Sequence, residues 1–294
     1  MSETPGGARV AVLAHPAGHS VSPAMHRAAF AALGIDARYD AWDVPPRDLE
    51  AAVAALRSPP WWGANVTVPH KEAVVAWCDD LTPAARRLGA VNTIVRRGSA
   101  LLGDNTDLPG FARSLAGLRA DWSGAAVVVI GAGGAARAVV AALVDLGARV
   151  SVFARRAERA RALVDDLAPG AAEVLGESDR DAAIAACAAL VQTTPVGMHG
   201  GPGGSPLPAG VLPRDGAVVD LIYRPPLTPL LCAARAAGLP LRNGLPMLVY
   251  QGAASFEAWT GRPAPIATMG AAAEAALGGP GRGWTGLDAP EDGP

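Results

Sequence analysis

A glycine-rich turn between an apolar strand and a helix is the feature that most narrows the folds open to this chain. Segment 125–156 reads as a wholly apolar strand, the turn GAGGAA, a helix rich in alanine and valine, and a second strand. A strand that is apolar on both faces is typical of a parallel sheet with helices packed on both sides. The segment therefore predicts a doubly wound α/β domain.

The turn has the composition of a dinucleotide-binding site. Gly131 permits the tight turn, and Gly133 lets backbone N–H groups approach a pyrophosphate at the helix N-terminus, where the helix dipole favours an anion. A tight turn without a ligand is the alternative, but the second strand returns within about 30 residues, as a cofactor site requires. The candidate cofactor-binding residues of the turn are Gly131, Ala132, Gly133, Gly134 and Ala135.

The end of the second strand indicates which dinucleotide is bound. An NAD site has a carboxylate there, about 20 residues after the turn, which accepts a hydrogen bond from the ribose 2′-hydroxyl. This chain has Arg155 and Arg156 at that place, with Arg159 one turn later. Guanidinium groups pair with phosphate through two parallel hydrogen bonds, so the arginines favour NADP (NADPH) over a merely solvated basic surface.

Composition argues against several other classes of function. The 294 residues carry a formal net charge of -2, so there is no electrostatic case for binding nucleic acid or an anionic membrane. Apolar runs are interrupted before about 18 residues, which argues against a membrane span, and the N-terminus lacks the pattern of a signal peptide. We expect a cytoplasmic protein with reduced cysteines; a monomer and a homodimer both stay open.

The histidines do not predict a metal site. His15 and His19 are four residues apart, but Pro16 and Gly18 preclude the helix that would bring them together. His26 is expected on the face of a helix. No metal ligand is therefore assigned.

The first hundred residues alternate strands with helices, which predicts a small α/β layer domain. The segment NVTVPHK at 65–71 begins as a strand, since its two valines alternate with polar residues as on a strand with one buried face. Its proline ends strand pairing, and a helix is predicted from Lys71 to about Cys78. We expect the polar side chains to face a pocket, with Lys71 turned inward and His70 as either a structural residue or a spectator. Segment 90–107 reads as two strands around a turn.

Seven motifs occur in the order found in the shikimate dehydrogenase family. They are HSVSPAMH (19–26), NVTVPHK (65–71), GAVNT (89–93), GDNTD (103–107), GAGGAA (131–136), DLIYRPPLTPLL (220–231) and GLPMLVYQGAASF (244–256). Because they span nearly the whole chain, the chain resembles that family. The resemblance implies reversible, NADP-linked reduction of the small molecule 3-dehydroshikimate to shikimate, a step in chorismate and aromatic amino-acid biosynthesis.

The resemblance also implies two domains, the first of them discontinuous. Residues 1–106 and 244–278 are expected to form the α/β substrate-binding domain, to which the C-terminal helices return. Residues 107–243 are expected to form the NADP-binding Rossmann domain. Segment 279–294 holds little apolar surface and is predicted to be a disordered tail.

Roles for individual residues follow from the resemblance. Hydride delivery to a ketone builds negative charge on its oxygen, which requires a cation or a proton donor within reach. Lys71 is the implied proton donor and Asp107 its partner; the sequence leaves open whether Lys71 transfers a proton or acts as a fixed cation. The implied substrate ligands are Ser20, Ser22 and Tyr223 for the carboxylate, and Asn65, Thr67, Lys71, Asn92, Asp107 and Gln251 for the ring hydroxyls and ketone. The further implied cofactor contacts are Thr194, Leu221, Gly244 and Met247.

Each of these residues also has a plainer interpretation. Ser20 and Ser22 could cap the following helix, Asn92 could be a turn residue, and Gln251 could be an exposed helix position. Lys71 could face water at the start of a helix. Asp107 could be an N-cap.

Three alternatives to the family's activity stay open. They are a quinate/shikimate dehydrogenase that uses NAD, an NADP-responsive regulatory module without catalysis, and a related folate or glutamyl-tRNA enzyme. The presence of both Lys71 and Asp107 argues against the regulatory module. The Ser20/Ser22 loop argues against the third alternative.

Overall fold

The computed structural model describes residues 7–18 and 20–279. The strands within these residues are β1 (Ala8–Ala14), β2 (Ala37–Asp43), β3 (Trp61–Val66), β4 (Asp80–Leu81), β5 (Thr93–Arg97), β6 (Ala100–Asp104), β7 (Ala126–Ile130), β8 (Arg149–Phe153), β9 (Ala172–Val174), β10 (Ala189–Gln192), β11 (Ala217–Asp220) and β12 (Leu241–Arg242). The α-helices are α1 (Ser22–Ala32), α2 (Leu49–Ala55), α3 (Pro83–Leu88), α4 (Asp107–Ser114), α5 (Gly134–Asp145), α6 (Ala157–Leu167), α7 (Glu177–Ala186), α8 (Pro229–Ala236), α9 (Leu245–Thr260) and α10 (Ile266–Ala276). The predicted tail from residue 280 onward and His19 lie outside the described residues.

The chain divides into two compact units, and the divisions fall inside α4 and α9. Among the described residues, the first unit comprises 7–110 (without 19) and 248–279, and the second comprises 111–247. Both units combine a sheet with helices, so the predicted α/β class is confirmed.

The first unit is built on a six-stranded mixed sheet with the order β2-β1-β3-β5-β6-β4. β1 pairs in parallel with β2 and β3, whereas β5 runs antiparallel to both β3 and β6. β5 and β6 are the two strands predicted around a turn. Buried Leu13, Leu49, Leu56, Ile94 and Leu101 belong to the core of this unit. β3 lies between β1 and β5, so the residues at its end have a neighbouring strand on both sides.

The prediction of a strand with one buried face, continuing to Pro69, is wrong in two respects. The strand ends at Val66, and the side chain of Val68 is 71% exposed, although the alternation of valines predicted that it would be buried. Because β3 pairs on both sides, Asn65 and Val66 are both buried and no polar face alternates with an apolar one. The helix predicted from Lys71 to about Cys78 is present as a shorter 3₁₀-helix over Ala73–Trp77.

The second unit is built on a six-stranded sheet with the order β12-β11-β10-β7-β8-β9, and all its neighbouring strands are parallel. This is the predicted doubly wound arrangement. The strand order reverses between β7 and β10, and ligands of such sheets bind outside the carboxyl ends of the strands at this reversal. None of the helices in the described part of the chain is both long enough and apolar enough to cross a membrane.

The three cysteines are free, and two of them have weakly acidic thiols. Burial raises the pKa of Cys78 and of Cys187 to about 11. Both thiols therefore stay protonated near neutral pH, which makes them poor nucleophiles.

Candidate functional site

Lys71 and Asp107 form an ion pair within the first unit. Lys71 Nζ lies 2.6 Å from Asp107 Oδ2, and the two side chains are 15% and 4% exposed. The preceding His70 is buried, and its Nε2 lies 2.7 Å from the Val44 carbonyl oxygen, which anchors the segment that carries the lysine. The alternative of a solvent-facing Lys71 is therefore wrong.

Asp107 is the first residue of α4, where an acidic side chain could serve as a helix cap. Asn105 instead forms an Asx turn just before the helix, because its Oδ1 accepts a hydrogen bond from the Asp107 N–H at 3.1 Å. Asn105 is held in turn through its Nδ2, which donates to the Ala90 carbonyl oxygen at 2.9 Å. The carboxylate of Asp107 is thus available to side chains of the site.

Asn92 fixes the second oxygen of that carboxylate. The Thr106 main-chain N–H donates to the Asn92 side chain at 2.7 Å, so the accepting atom must be Oδ1. The Asn92 Nδ2 consequently donates to Asp107 Oδ1 at 2.9 Å and to Gln251 Oε1 at 3.2 Å. Asn92 is buried, and its role extends beyond closing a turn.

Gln251 reaches this group of side chains from α9. It is buried rather than an exposed helix position, and its Nε2 donates to the Leu248 carbonyl oxygen at 2.9 Å. The helices α4 and α9 approach closely here, since a Cβ on Gly110 would lie 2.8 Å from the Gln251 main-chain nitrogen. A larger residue at 110 would push Gln251 away from Asn92.

Asn65 lies near the end of β3, and both the oxygen and the nitrogen of its side-chain amide are hydrogen-bonded. Its Oδ1 accepts from the Tyr39 hydroxyl at 2.7 Å, and its Nδ2 donates to Ser255 Oγ at 2.9 Å and to the Asn92 carbonyl oxygen at 3.1 Å. Thr67 is half-buried, and its described contacts are main-chain ones. The structure therefore joins Asn65, but not the side chain of Thr67, to the group around Asp107.

The two serines of the N-terminal loop occupy different environments. Ser22 is buried at the start of α1, whereas Ser20 is half-buried, and the Ser20 Oγ accepts from the Ser22 N–H at 3.3 Å. The N-cap position of α1 is Val21, which makes no side-chain capping bond. Burial raises the pKa of Tyr39, and a hydrogen bond from the Ser22 side chain opposes this rise. Ser22 thus lies beside the tyrosine that holds Asn65.

The glycine turn of the second unit has the geometry that its sequence predicts. Gly131 adopts a φ of +117°, and a Cβ there would lie 2.3 Å from Thr193 Oγ1. A Cβ on Gly133 would meet open space, which leaves the backbone accessible at the start of the 12-residue helix α5. Ala136 is fully buried against the sheet. These residues fit a pyrophosphate at the helix N-terminus.

The predicted arginines lie beside this turn. Ile130 and Phe153 are paired in adjacent parallel strands, and the Gly131 N–H donates to the Phe153 carbonyl oxygen at 2.8 Å. Arg155, Arg156 and Arg159 follow directly and are exposed. Among the described residues none of the three takes part in an ion pair, so their guanidinium groups are available to an anion.

The other predicted cofactor contacts follow strands at the same edge of the sheet. Thr194 comes after β10, Leu221 after β11 and Gly244 after β12, and Met247 lies in the first turn of α9. Gly244 is required by sterics, because a Cβ there would lie 1.9 Å from the Leu221 carbonyl oxygen. Tyr223, the remaining predicted substrate ligand, also belongs to the second unit, and burial raises the pKa of its phenol.

Several buried polar residues near Asn65 and Asn92 were not predicted. Thr93, Thr106 and Ser255 form a hydroxyl cluster, with Oγ distances of 2.7 Å between Thr93 and Ser255 and 3.1 Å between Thr106 and Ser255. All three lie inside the motifs quoted above, yet nothing in the sequence shows that they meet. In the second unit the buried Asp220 accepts from Thr228 Oγ1 at 2.7 Å, and burial raises its pKa to about 6.

A signal from composition also points to Lys71. Of the 25 Lys and Arg residues, 24 are arginine, and Lys71 is the only lysine in the sequence. An arginine carries a permanent charge, whereas a lysine amine can gain and lose a proton. Lys71 is therefore the only side chain of this sequence that carries an alkyl amine.

Comparison with known proteins gives matches along the whole chain. The family models described as "Shikimate dehydrogenase substrate binding domain", "Shikimate / quinate 5-dehydrogenase" and "Shikimate 5'-dehydrogenase C-terminal domain" match residues 12–94, 112–196 and 244–274, respectively. A solved structure of shikimate 5-dehydrogenase from Thermus thermophilus, in complex with NADP(H) and shikimate, has a TM-score of 0.83 at 40% identity and covers 92% of this chain and 100% of that one. Quinate dehydrogenase from Corynebacterium glutamicum, in complex with NAD, has a TM-score of 0.83 at 32% identity, covering 90% and 98%.

The similarity to curated proteins is higher still. Shikimate dehydrogenase (NADP(+)) from Symbiobacterium thermophilum is 49% identical over an alignment of 281 positions, which covers 93% of this chain and 96% of the relative. Identity at this level, over nearly the full length of both proteins, agrees with the order of the seven motifs. This chain therefore belongs to the shikimate dehydrogenase family.

Proposed function

We propose that this chain is an NADP-dependent shikimate dehydrogenase that interconverts shikimate and 3-dehydroshikimate. The observation that carries the proposal is the Lys71–Asp107 ion pair, held in place by Asn92 and enclosed by the polar side chains expected to bind a polyhydroxylated ring. The name of the 49% identical relative supports the same reaction and the same cofactor.

The bound NADP supplies the hydride acceptor or donor for this reaction. In the direction of shikimate oxidation, the reacting hydroxyl must lose its proton as its carbon loses a hydride. We assign Lys71 Nζ, as the neutral amine, to take that proton; in the opposite direction the Lys71 ammonium donates a proton to the ketone oxygen, where negative charge develops. Asp107 holds the amine through Oδ2 and keeps lone pairs that can accept from a neighbouring substrate hydroxyl.

The remaining substrate ligands divide between hydroxyls and carboxylate. Asn65, Thr67, Asn92 and Gln251 are proposed to recognise the ring hydroxyls, since a wrong substrate that leaves such a buried group unpaired costs about 1–3 kcal/mol. Ser20 and Ser22 are proposed to bind the carboxylate together with Tyr223. The first unit is thus proposed as the substrate-binding domain and the second as the NADP-binding domain.

Steady-state kinetics with two substrates and two cofactors tests the proposal. We expect kcat/KM for shikimate with NADP⁺ to exceed that for quinate with NAD⁺ by at least about a hundredfold, a difference of roughly 2.7 kcal/mol. The alternative of an NAD-linked quinate/shikimate enzyme is raised by the similar quinate dehydrogenase. A preference for quinate or for NAD⁺ would establish that alternative, and the absence of turnover with all four pairs would refute both.

The arginines after β8 give a separate prediction for the cofactor. Replacing Arg155 and Arg156 together by alanine should raise KM for NADP⁺ by about 10- to 100-fold, because two charged partners of the 2′-phosphate are lost. KM for NAD⁺, which lacks that phosphate, should change less than threefold.

A matched control is available on α6, where Arg161 is also exposed. Arg161→Ala should leave both KM values within twofold of the wild type. An equal rise in KM for NADP⁺ and NAD⁺ in the double variant would refute the 2′-phosphate assignment.

A further inference from the structure

A directional chain of hydrogen bonds runs through the interior of the first unit, from β2 through β3 to α9. Its members are Tyr39, Asn65, Ser255 and the main chain of Gln251. Tyr39 and Ser255 are fully buried and cannot touch a substrate. Both nonetheless contact residues that the proposed function places against it.

The direction of each hydrogen bond is determined by atoms that can act only as donors or only as acceptors. The Gln251 carbonyl oxygen can only accept, so the Ser255 hydroxyl, 3.0 Å away, donates to it. Ser255 Oγ is left as an acceptor for the amide of Asn65 at 2.9 Å. The Asn92 carbonyl oxygen, 3.1 Å away, can also only accept. The Asn65 side-chain atom that faces Ser255 and Asn92 must therefore be the amide nitrogen.

With its nitrogen directed at Ser255, Asn65 turns its oxygen toward Tyr39. The Tyr39 hydroxyl lies 2.7 Å from Asn65 Oδ1 and must donate to it. The tyrosine ring is itself fixed by stacking on His26, with ring centroids 4.5 Å apart and an angle of 2° between the planes. Both amide protons of Asn65 have acceptors inside the protein, and one lone pair of Oδ1 remains.

We infer that Tyr39 and Ser255 are positioning residues for substrate recognition, acting through Asn65 and Gln251. They hold the Asn65 amide in one orientation, in which it offers the substrate an acceptor, and they tie that orientation to the position of α9. A buried polar network of this kind fixes the ligands that touch a substrate before the substrate arrives. The inference rests on the proposed function, because it assumes that Asn65 and Gln251 contact shikimate.

Two single-group deletions test the inference. Tyr39→Phe removes the phenol oxygen alone, and Ser255→Ala removes the hydroxyl alone. We expect each variant to raise KM for shikimate about tenfold, while KM for NADP⁺ stays within twofold of the wild type. Because both act through Asn65, the double variant should raise KM for shikimate clearly less than the hundredfold product of the single effects.

Ser114→Ala is the matched control. Ser114 is also buried, and its hydroxyl donates to a carbonyl of its own helix, Phe111, at 2.7 Å, but it has no contact with Asn65. This variant should keep both KM values within twofold. A loss of stability in all three variants without a change in KM for shikimate would overturn the inference, as would an equal rise in both KM values.

The design separates this inference from the proposed function. A wild-type protein that does not turn over shikimate would refute the proposed function. An active wild type with unaffected Tyr39→Phe and Ser255→Ala variants would refute only the positioning roles. If Ser255→Ala fails to fold, Tyr39→Phe decides the question alone, since losing one hydroxyl keeps the ring that stacks on His26.

Discussion

Replacing Lys71 by alanine is expected to lower kcat for shikimate oxidation by about a thousandfold, within the 10²–10⁴ range of a lost general acid or base. The reason is that no other proton carrier is described next to Asp107, whose carboxylate would be left with Asn92 as its partner. Binding should suffer far less, because the amides around Asp107 remain. We expect the dissociation constant of shikimate, measured by calorimetry, to rise no more than about tenfold.

Lys71→Arg serves as the control that separates proton transfer from charge. Arginine keeps a positive charge beside Asp107 but does not release a proton at ordinary pH. We expect this variant to lose at least a hundredfold in kcat as well. Activity near the wild-type level in Lys71→Arg would show that a fixed cation suffices, and near-normal turnover in Lys71→Ala would remove Lys71 from the mechanism.

Acid should destabilise the first unit strongly through His26. This residue is fully buried between aromatic rings, and neither of its ring nitrogens has a hydrogen-bond partner among the described residues. Burial lowers the pKa of His26 from 6.5 to about 3. Between these two values the unfolded state binds a proton that the folded state does not. The titration of His26 therefore does not lower the free energy of unfolding above pH 6.5, but lowers it progressively as the pH falls below that value.

The loss amounts to about 1.4 kcal/mol for each pH unit below 6.5, hence roughly 3 kcal/mol at pH 4.5. His26→Phe keeps the ring that stacks on Tyr39 and removes the titrating group. We expect the free energy of unfolding, from urea titrations at pH 7.5 and 4.5, to fall by roughly 3 kcal/mol less in the variant than in the wild type. The packing cost of the larger ring cancels, because each protein is compared with itself. Equal losses in the two proteins would contradict the prediction.

The second unit was the easier one to predict from sequence. Its central strands β7, β10 and β11 are almost entirely apolar and buried because they are covered on both faces, and the glycine turn marks where the first of them ends. A parallel sheet with this pattern admits few arrangements, so the parallel pairing of β7 with β8 and the position of Arg155 beside the turn follow from local sequence. The short strands β9 and β12 carry too few residues for a pattern to form.

The hydrogen-bonded centre of the first unit could not be predicted in the same way. The alternation with valines predicted a polar face for Asn65 but not its hydrogen bonds to Tyr39 and Ser255, which lie 26 and 190 positions away in the sequence. Periodicity describes which side of a strand a residue faces but not which distant side chain meets it there. The motifs identified Asn92, Asp107 and Gln251, whereas only coordinates reveal the hydroxyl cluster that joins them.

Because the sequence contains a single lysine, a reagent that modifies lysine side chains reacts there only with the proposed catalytic group. Reductive methylation with ¹³C-formaldehyde labels lysine side chains and the α-amino group, so an NMR spectrum of the treated protein would contain one side-chain resonance, from position 71. The side chain is 15% exposed, which leaves the amine within reach of a small reagent. A ligand that displaces Asp107 from the amine, or donates a hydrogen bond to its carboxylate, would change the chemical shift of that resonance. The NMR spectrum would therefore show whether the site is occupied.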